Sequence, residues 1–215
     1  MKPLSPFDLA LNHAPVIGLI DVGSTEQIFR AATACWAGGF RLIAIPTRLE
    51  SAPDIVCALG ARPDLLVGLW DVGSESELEA FEGCPYAFAF GQPSLDSEAV
   101  RVHSKPFIPI VRSLENGHGG YQRACISAVD AHGGVAYLSQ QMQRSPVCDV
   151  FVQGRIGGDE CISYIEAGAR AVILTDALMS SSLLESGDYK SIRNYAAAVH
   201  QEATRLSRKA QERTA

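Results

Sequence analysis

The sequence predicts a single α/β domain over residues 1–215, in which eight parallel strands alternate with helices and close into a (β/α)8 barrel. A short helix precedes the barrel and a long one follows it. Three observations carry that expectation. Eight short apolar runs recur along the chain, and none alternates with polar residues as a half-exposed sheet would, so each should be buried on both faces. Between them lie stretches with helical periodicity and helix-start signals. No G-x-G-x-x-G follows the first run and no linker or composition shift marks a second domain, which argues against an open dinucleotide-binding sheet.

The elements follow in order. Ser5 to His13 reads as the short leading helix, with Pro6 suited to its first turn. Pro15 to Ile20 is the first strand, ending at Asp21, and Ser24 caps a helix whose apolar stripe is Ile28, Ala31, Ala32 and Cys35. Gly38-Gly39 stops that helix, and Arg41-Leu42-Ile43-Ala44-Ile45-Pro46 is the second strand, followed by Thr47 and Arg48. Ser51 to Gly60 is helical, Asp64 to Trp70 is a strand ending at Asp71, and Ser74 to Phe81 is an acidic helix. Tyr86 to Phe90 is the fourth strand, Leu95 to His103 a helix, and Pro106 to Val111 a strand ending at Arg112.

The rhythm is weakest next, where Glu115 to Gly120 is a turn-rich loop. Two arrangements compete beyond it. In one, Ala124 to Val129 is the sixth strand and Gly134 to Arg144 a helix; in the other, Tyr121 to Ala131 is the helix and Val135 to Leu138 the strand. The first is preferred because it leaves a helix before the next strand, Asp149 to Gln153. Asp159 to Glu166 is a helix, Ala171 to Thr175 the last strand, and Asp188 to Glu212 the long terminal helix.

Bulk properties narrow the function. With 47% hydrophobic and 20% charged residues, the chain can build an ordinary globular core. A net charge of −6 without a dominant basic patch argues against nucleic acid as partner. The apolar runs are too short to span a membrane, and no signal or transit pattern follows Met1, so the cytoplasm is the expected location. The six cysteines lie apart, without a C-x-x-C pair and mostly among apolar neighbours. They read as buried free thiols before a metal site or disulfide framework. No metal site is expected, since His118 and His132 lack spaced partners, and no cofactor is expected.

In a barrel, the residues at strand carboxyl ends share one mouth. Here they are Asp21, Ala44 with Arg48, Asp71, Gly91-Gln92, Arg112, Ser127 with Asp130, Gln153-Gly154-Arg155, and Thr175-Asp176. Asp21 and Asp71 each precede a Gly-Ser helix start, where an acid favours the N-terminal dipole, so capping competes with a ligand role. Arg48 suits a carboxylate because its planar fork binds two oxygens, although an ion pair to Asp21 or Asp71 would also occupy it. The Gln153–Gly158 segment offers either backbone N–H groups for an anion or a simple tight turn.

Several segments resemble the 2-keto-3-deoxy-6-phosphogluconate (KDPG) / 4-hydroxy-2-oxoglutarate (KHG) aldolases, class I aldolases on a TIM barrel. These are Ala14-Pro15-Val16-Ile17, Ala37 to Ile43, Pro106 to Pro109, Gly133-Gly134-Val135 through Gln153-Gly154, and Tyr164 to Leu178. The likeness covers residues 14 to 180. It implies a barrel, a homotrimer, and a small carboxylate or 2-keto acid as ligand. It also implies a Schiff-base lysine on the sixth strand and a proton-shuttling glutamate on the second.

Counting back from Gly133-Gly134, the lysine position is Cys125, or lies near Tyr137 in the rival arrangement; the glutamate position is Ala44. The four lysines, 2, 105, 190 and 209, stand elsewhere: Lys105 precedes the fifth strand and the rest are terminal. Arg48 stands at the carboxylate-binding arginine. Arg155 replaces the second glycine after the seventh strand, and Ile173-Leu174-Thr175-Asp176 replaces the phosphate-binding Gly-x-Ser-Gly turn. The chain is therefore expected to lack Schiff-base aldolase activity and to act as a non-catalytic binding, regulatory or scaffold protein. Its candidate ligand residues are Arg48, Asp71, Asp21, Arg112, Gln153, Arg155 and Thr175. The alternative is a lyase acting on a 2-keto acid by altered acid–base chemistry, with or without a metal, through Arg48 and the strand-end aspartates Asp71, Asp21 or Asp130.

Overall fold

The computed structural model describes residues 3–95, 105–114, 122–146, 148–175 and 178–214. Each strand is short and mostly apolar, with alternate side chains directed into the barrel interior. The strands are β1 (Val16–Leu19), β2 (Leu42–Pro46), β3 (Leu66–Val72), β4 (Phe88–Gly91), β5 (Phe107–Val111), β6 (Arg123–Ile126), β7 (Asp149–Gln153) and β8 (Ala171–Leu174). They pair in parallel and in sequence order, and β8 returns to β1 with Val16 opposite Val172, closing the barrel. The helices are α1 (Pro6–His13), α2 (Thr25–Ala37), α3 (Ala52–Gly60), α4 (Glu75–Glu79), α5 (Gly134–Arg144), α6 (Gly158–Glu166), α7 (Ser181–Ser186) and α8 (Tyr189–Thr214).

The ambiguous region resolves in favour of the first arrangement: β6 carries Cys125, and Tyr137 lies on α5. The fourth strand starts at Phe88, not Tyr86, because the chain is still turning through Cys84 to Tyr86. The acidic helix is shorter than expected, closing at Glu79. A one-turn 3-10 helix (Val129–His132) and α7 were not anticipated; the first is held between left-handed Ala128 and Gly133. Most of the expected Leu95–His103 helix, the Glu115–Gly120 loop and Asp176 lie outside the described residues.

Every second residue of each strand points along the barrel axis, and these inward residues form one cluster: Ile17, Leu19, Leu42, Ala44, Trp70, Phe88, Phe90, Ile108, Cys125, Phe151, Ala171 and Ile173. Its aromatic members make a column. Phe7 of α1 lies 4.6 Å from Phe88 between ring centroids, Phe88 meets Phe90 edge-on at 5.9 Å, and Trp70 stands 5.1 Å from Phe90. Phe151 meets Phe90 edge-on at 5.6 Å, a geometry that aromatic quadrupoles favour. Gly68 makes the column possible: a Cβ there would sit 2.1 Å from Cε2 of Phe88.

The amino-terminal end of the barrel is closed by α1, which buries Phe7 and Leu11. Asp8 beneath them accepts from Nη2 of Arg123 at 2.5 Å, and Arg170 lies 3.8 Å away. Asp149 pairs with both arginines, at 3.5 Å and 3.8 Å. Two acids and two arginines thus satisfy one another where β6, β7 and β8 begin.

Three thiols are sealed in this fold. Burial pushes the Cys35 and Cys161 thiols up to about 12 and the Cys125 thiol higher still. Each keeps its proton when folded but ionises near its ordinary pKa of about 8.5 when unfolded, so the folded state binds more protons in that window. Stability should therefore fall as pH rises above about 9, by up to about 1.4 kcal/mol per thiol per pH unit. Urea unfolding across that range measures it. A flat profile would refute the burial of these thiols, while a Cys35→Ala, Cys161→Ala variant should show a shallower slope.

Candidate functional site

The strand carboxyl ends bring the sequence-selected residues to one rim in two groups. On the β1–β3 side, Arg48 is exposed and donates through Nη2 to the main-chain carbonyl of Asp21 at 3.1 Å. That acceptor is neutral, so this bond leaves the positive charge of the guanidinium uncompensated. Asp71 lies exposed at the end of β3 with φ 60°, beside a register shift between Leu69 and Val72. A left-handed aspartate at a barrel-rim bulge is the kind of strained position that clusters at functional sites. Neither aspartate is the helix cap; Ser24 and Ser74 fill that role, accepting from the N–H groups of Gln27 and Glu77.

Glu77 is a rim carboxylate that the strand ends did not reveal. Its Oε2 accepts from Thr47 Oγ1 at 2.9 Å and from Gly73 N–H at 3.0 Å. Thr47 Oγ1 also lies within reach of the Trp70 and Asp71 carbonyls, at 3.4 and 3.3 Å. The Ser74-x-x-Glu77 spacing was the available signal, since a glutamate there folds back over its own helix start.

On the β5–β8 side, Asp130 orders the turn after β7. Its Oδ1 accepts from Arg155 N–H at 3.2 Å and its Oδ2 faces Arg155 Nε at 3.5 Å. A Cβ on Gly154 would lie 2.3 Å from Asp130 Oδ1, so only glycine lets the carboxylate approach. Gln153 Oε1 accepts from Ala128 N–H at 3.4 Å, and the buried Thr175 donates to the Gly154 carbonyl at 3.5 Å. Arg112 is exposed, and its carbonyl accepts from Tyr137 Oη at 3.0 Å. The turn thus reads as an internally bonded one, with the Arg155 side chain 82% exposed above it.

A family model, that of the KDPG and KHG aldolases, matches residues 7–195. The chain belongs to this aldolase family. A 2-dehydro-3-deoxy-phosphogluconate aldolase of Pseudoalteromonas atlantica is 23% identical over 193 residues, which cover 86% of this chain and 89% of that protein. Among solved structures, a KDPG aldolase from Legionella pneumophila, captured with pyruvate as a covalent carbinolamine, superposes with a TM-score of 0.76. Its identity is 21%, over 91% of this chain and 98% of that one. A cube-shaped protein cage designed by fusing symmetric oligomeric domains matches with a TM-score of 0.75 and 20% identity, over 94% of this chain and 76% of that one.

Within this aldolase barrel, Cys125 sits midway along β6, opposite Ile110 on one side and Phe151 on the other, with 0% exposure. Ala44 on β2 is likewise fully enclosed, in the same axial cluster as the phenylalanines. Lys105 lies just before β5, at the end away from the rim, with Nζ 3.6 Å above the Tyr86 ring. Burial lowers its pKa, with Cys84 acting in the opposite sense. A groove of about 690 Å³ also lies at that end, between α1, α5, α6 and α8, lined by Asn12, Met142, Glu166, Arg170 and Lys209. Among the described residues, no three His, Cys, Asp or Glu side chains gather as a metal would need, and no helix is long and apolar enough to cross a membrane.

Proposed function

We propose that this chain is a non-catalytic member of the aldolase family, a binding, regulatory or scaffold barrel that does not perform Schiff-base chemistry. The observation that carries the reading is Cys125. The position that the family resemblance gives to the nucleophilic lysine holds a thiol with 0% exposure, whose pKa burial raises far above its ordinary value. A class I aldolase needs an amine that attacks a keto carbon and becomes a protonated imine, the electron sink for C–C cleavage. A thiol forms no imine, and at Ala44 a methyl group cannot shuttle the protons between carbinolamine, imine and enamine. The aromatic column supports the same reading, since Phe88, Phe90, Phe151 and Trp70 occupy the axis at that depth. The ligand in this reading is a small carboxylate or 2-keto acid held at the rim, with Arg48 as its cation. The assembly is a homo-oligomer, a trimer by resemblance, and the setting is the cytoplasm.

The test is treatment with pyruvate and borohydride. No stable adduct is expected, and an intact mass increased by a reduced pyruvyl group would overturn the reading.

One observation favours a second reading, a lyase of altered chemistry. Asp71 is held left-handed and exposed at the rim beside the Thr47–Glu77 pair, where it has room to act as a base on a 2-keto acid held by Arg48. Pyruvate release from oxaloacetate or a 4-hydroxy-2-keto acid, with and without a divalent cation, separates the two. Turnover lost in Asp71→Asn would support the lyase, and no turnover supports the binding barrel.

A further inference from the structure

The outer wall of the barrel carries a pair of thiols that the rim does not use. Pro53, Cys57 and Gly60 recur at i, i+4 and i+7, so they line one face of α3. The turn before β4 lies on that face. Cys84 Sγ is 3.6 Å from the Pro53 carbonyl, and a Cβ on Gly60 would meet Pro85 Cγ at 2.6 Å. Cys57 stands between these two contacts. It is exposed, Cys84 is half-buried, and Cys57 lies one helical turn after Pro53, the residue whose carbonyl holds the Cys84 thiol. Cys35, Cys125 and Cys161 are buried, and Cys148 lies at the start of β7 with its Sγ turned to the Asp149 carbonyl at 3.8 Å. Cys148, half-buried like Cys84, stands apart on the barrel floor, so the helix–turn contact is where an exposed thiol and a second thiol come together.

We infer that Cys57 and Cys84 form a dithiol site that a peroxide converts to a disulfide. Cys57 thiolate attacks a peroxide oxygen; an S–O bond forms, the O–O bond breaks, and hydroxide leaves as water after taking a proton. The resulting Cys57 sulfenic acid is attacked by the Cys84 thiolate, forming the S–S bond as the S–O bond breaks and a second water departs. Two thiols are oxidised and one peroxide is reduced to two waters. Environment sets the order. Partial burial first, then the Cys57 thiol and the Asp54 carboxylate, hold the Cys84 thiol up to about 11, with Lys105 pulling it down. Cys84 is therefore the resolving thiol, and Cys57, open to solvent, meets the oxidant first.

The experiment is peptide mapping of the full chain after reduction, desalting, exposure to hydrogen peroxide and alkylation. The expected product is a Cys57–Cys84 linked peptide, two hydrogens lighter than the sum of its parts and lost on reduction. In Cys84→Ser, dimedone should label Cys57 and no link should form; in Cys57→Ser, neither label nor link should appear. Sulfinic or sulfonic acid at Cys57 without a link in the unmutated chain would overturn the inference. So would a link that instead joins Cys148 to either thiol. Because the decisive reading is on the unmutated chain, misfolding of a variant does not blur it.

Discussion

A Cys125→Lys substitution should leave the chain without aldolase activity and destabilise it by about 4 kcal/mol or more at neutral pH. The side chain would enter an axis where the fully buried Phe151 and the half-buried Ile110 flank it in register. Two costs add there. Extra methylenes in a packed interior cost about 1–3 kcal/mol. A buried ammonium without a partner gives up its proton, and a pKa drop of about 3 units costs about 4 kcal/mol at pH values below the folded pKa. The sign distinguishes the second cost from the first. Above about pH 10.4 the amine is neutral in both states and its penalty vanishes; it grows as pH falls toward the folded pKa. Against Cys125→Met, which carries bulk alone, the lysine variant should therefore lose its deficit as pH rises from about 7 toward 10. A deficit independent of pH would mean that the amine reaches water, and that the axis is open at this depth.

Phe88→Ala should cost about 3–5 kcal/mol, the range for deleting a large aromatic from a core, measured by urea or thermal unfolding. The ring links Phe7 of α1 to Phe90 of the axis, so its loss breaks the column in the middle. Gly68→Ala should also destabilise, because its new methyl would lie 2.1 Å from the same ring. The double variant sharpens the test. With the ring gone, the methyl enters vacated space, so Gly68→Ala, Phe88→Ala should be more stable than the sum of the two losses by about 1–2 kcal/mol. Strict additivity would mean that the glycine serves the backbone and not the ring.

Much of this fold was legible because parallel strands buried on both faces leave a coarse signal. Ile17, Ile43, Val67 and Val172 sit in runs whose apolar character needs no register to be read. The sixth strand was harder, since Arg123-Ala124-Cys125-Ile126 is short and Val135 to Leu138 is equally apolar; only the alternation rule favoured the arrangement the structure adopts. The site was legible as a rim of polar strand ends and no further. Whether Arg48 meets a carboxylate or a carbonyl depends on rotamers that spacing does not encode. The left-handed turn at Asp71 comes from the bulge after Leu69, and nothing in Trp70-Asp71-Val72 announces it. The aromatic column has a sequence signal of its own: Phe88 and Phe90 lie two apart on one strand, and Gly68 is the gap that admits the first of them.

The closure of the barrel floor bears on the order in which the chain can finish folding. Asp8 is anchored by Arg123, 115 residues later, and its carbonyl by Arg170, 162 residues later. This helix therefore completes its contacts only after β6 and β8 have been made. Until those strands are in place, Asp8 lacks both of its arginines, and α1 cannot lock against the barrel floor.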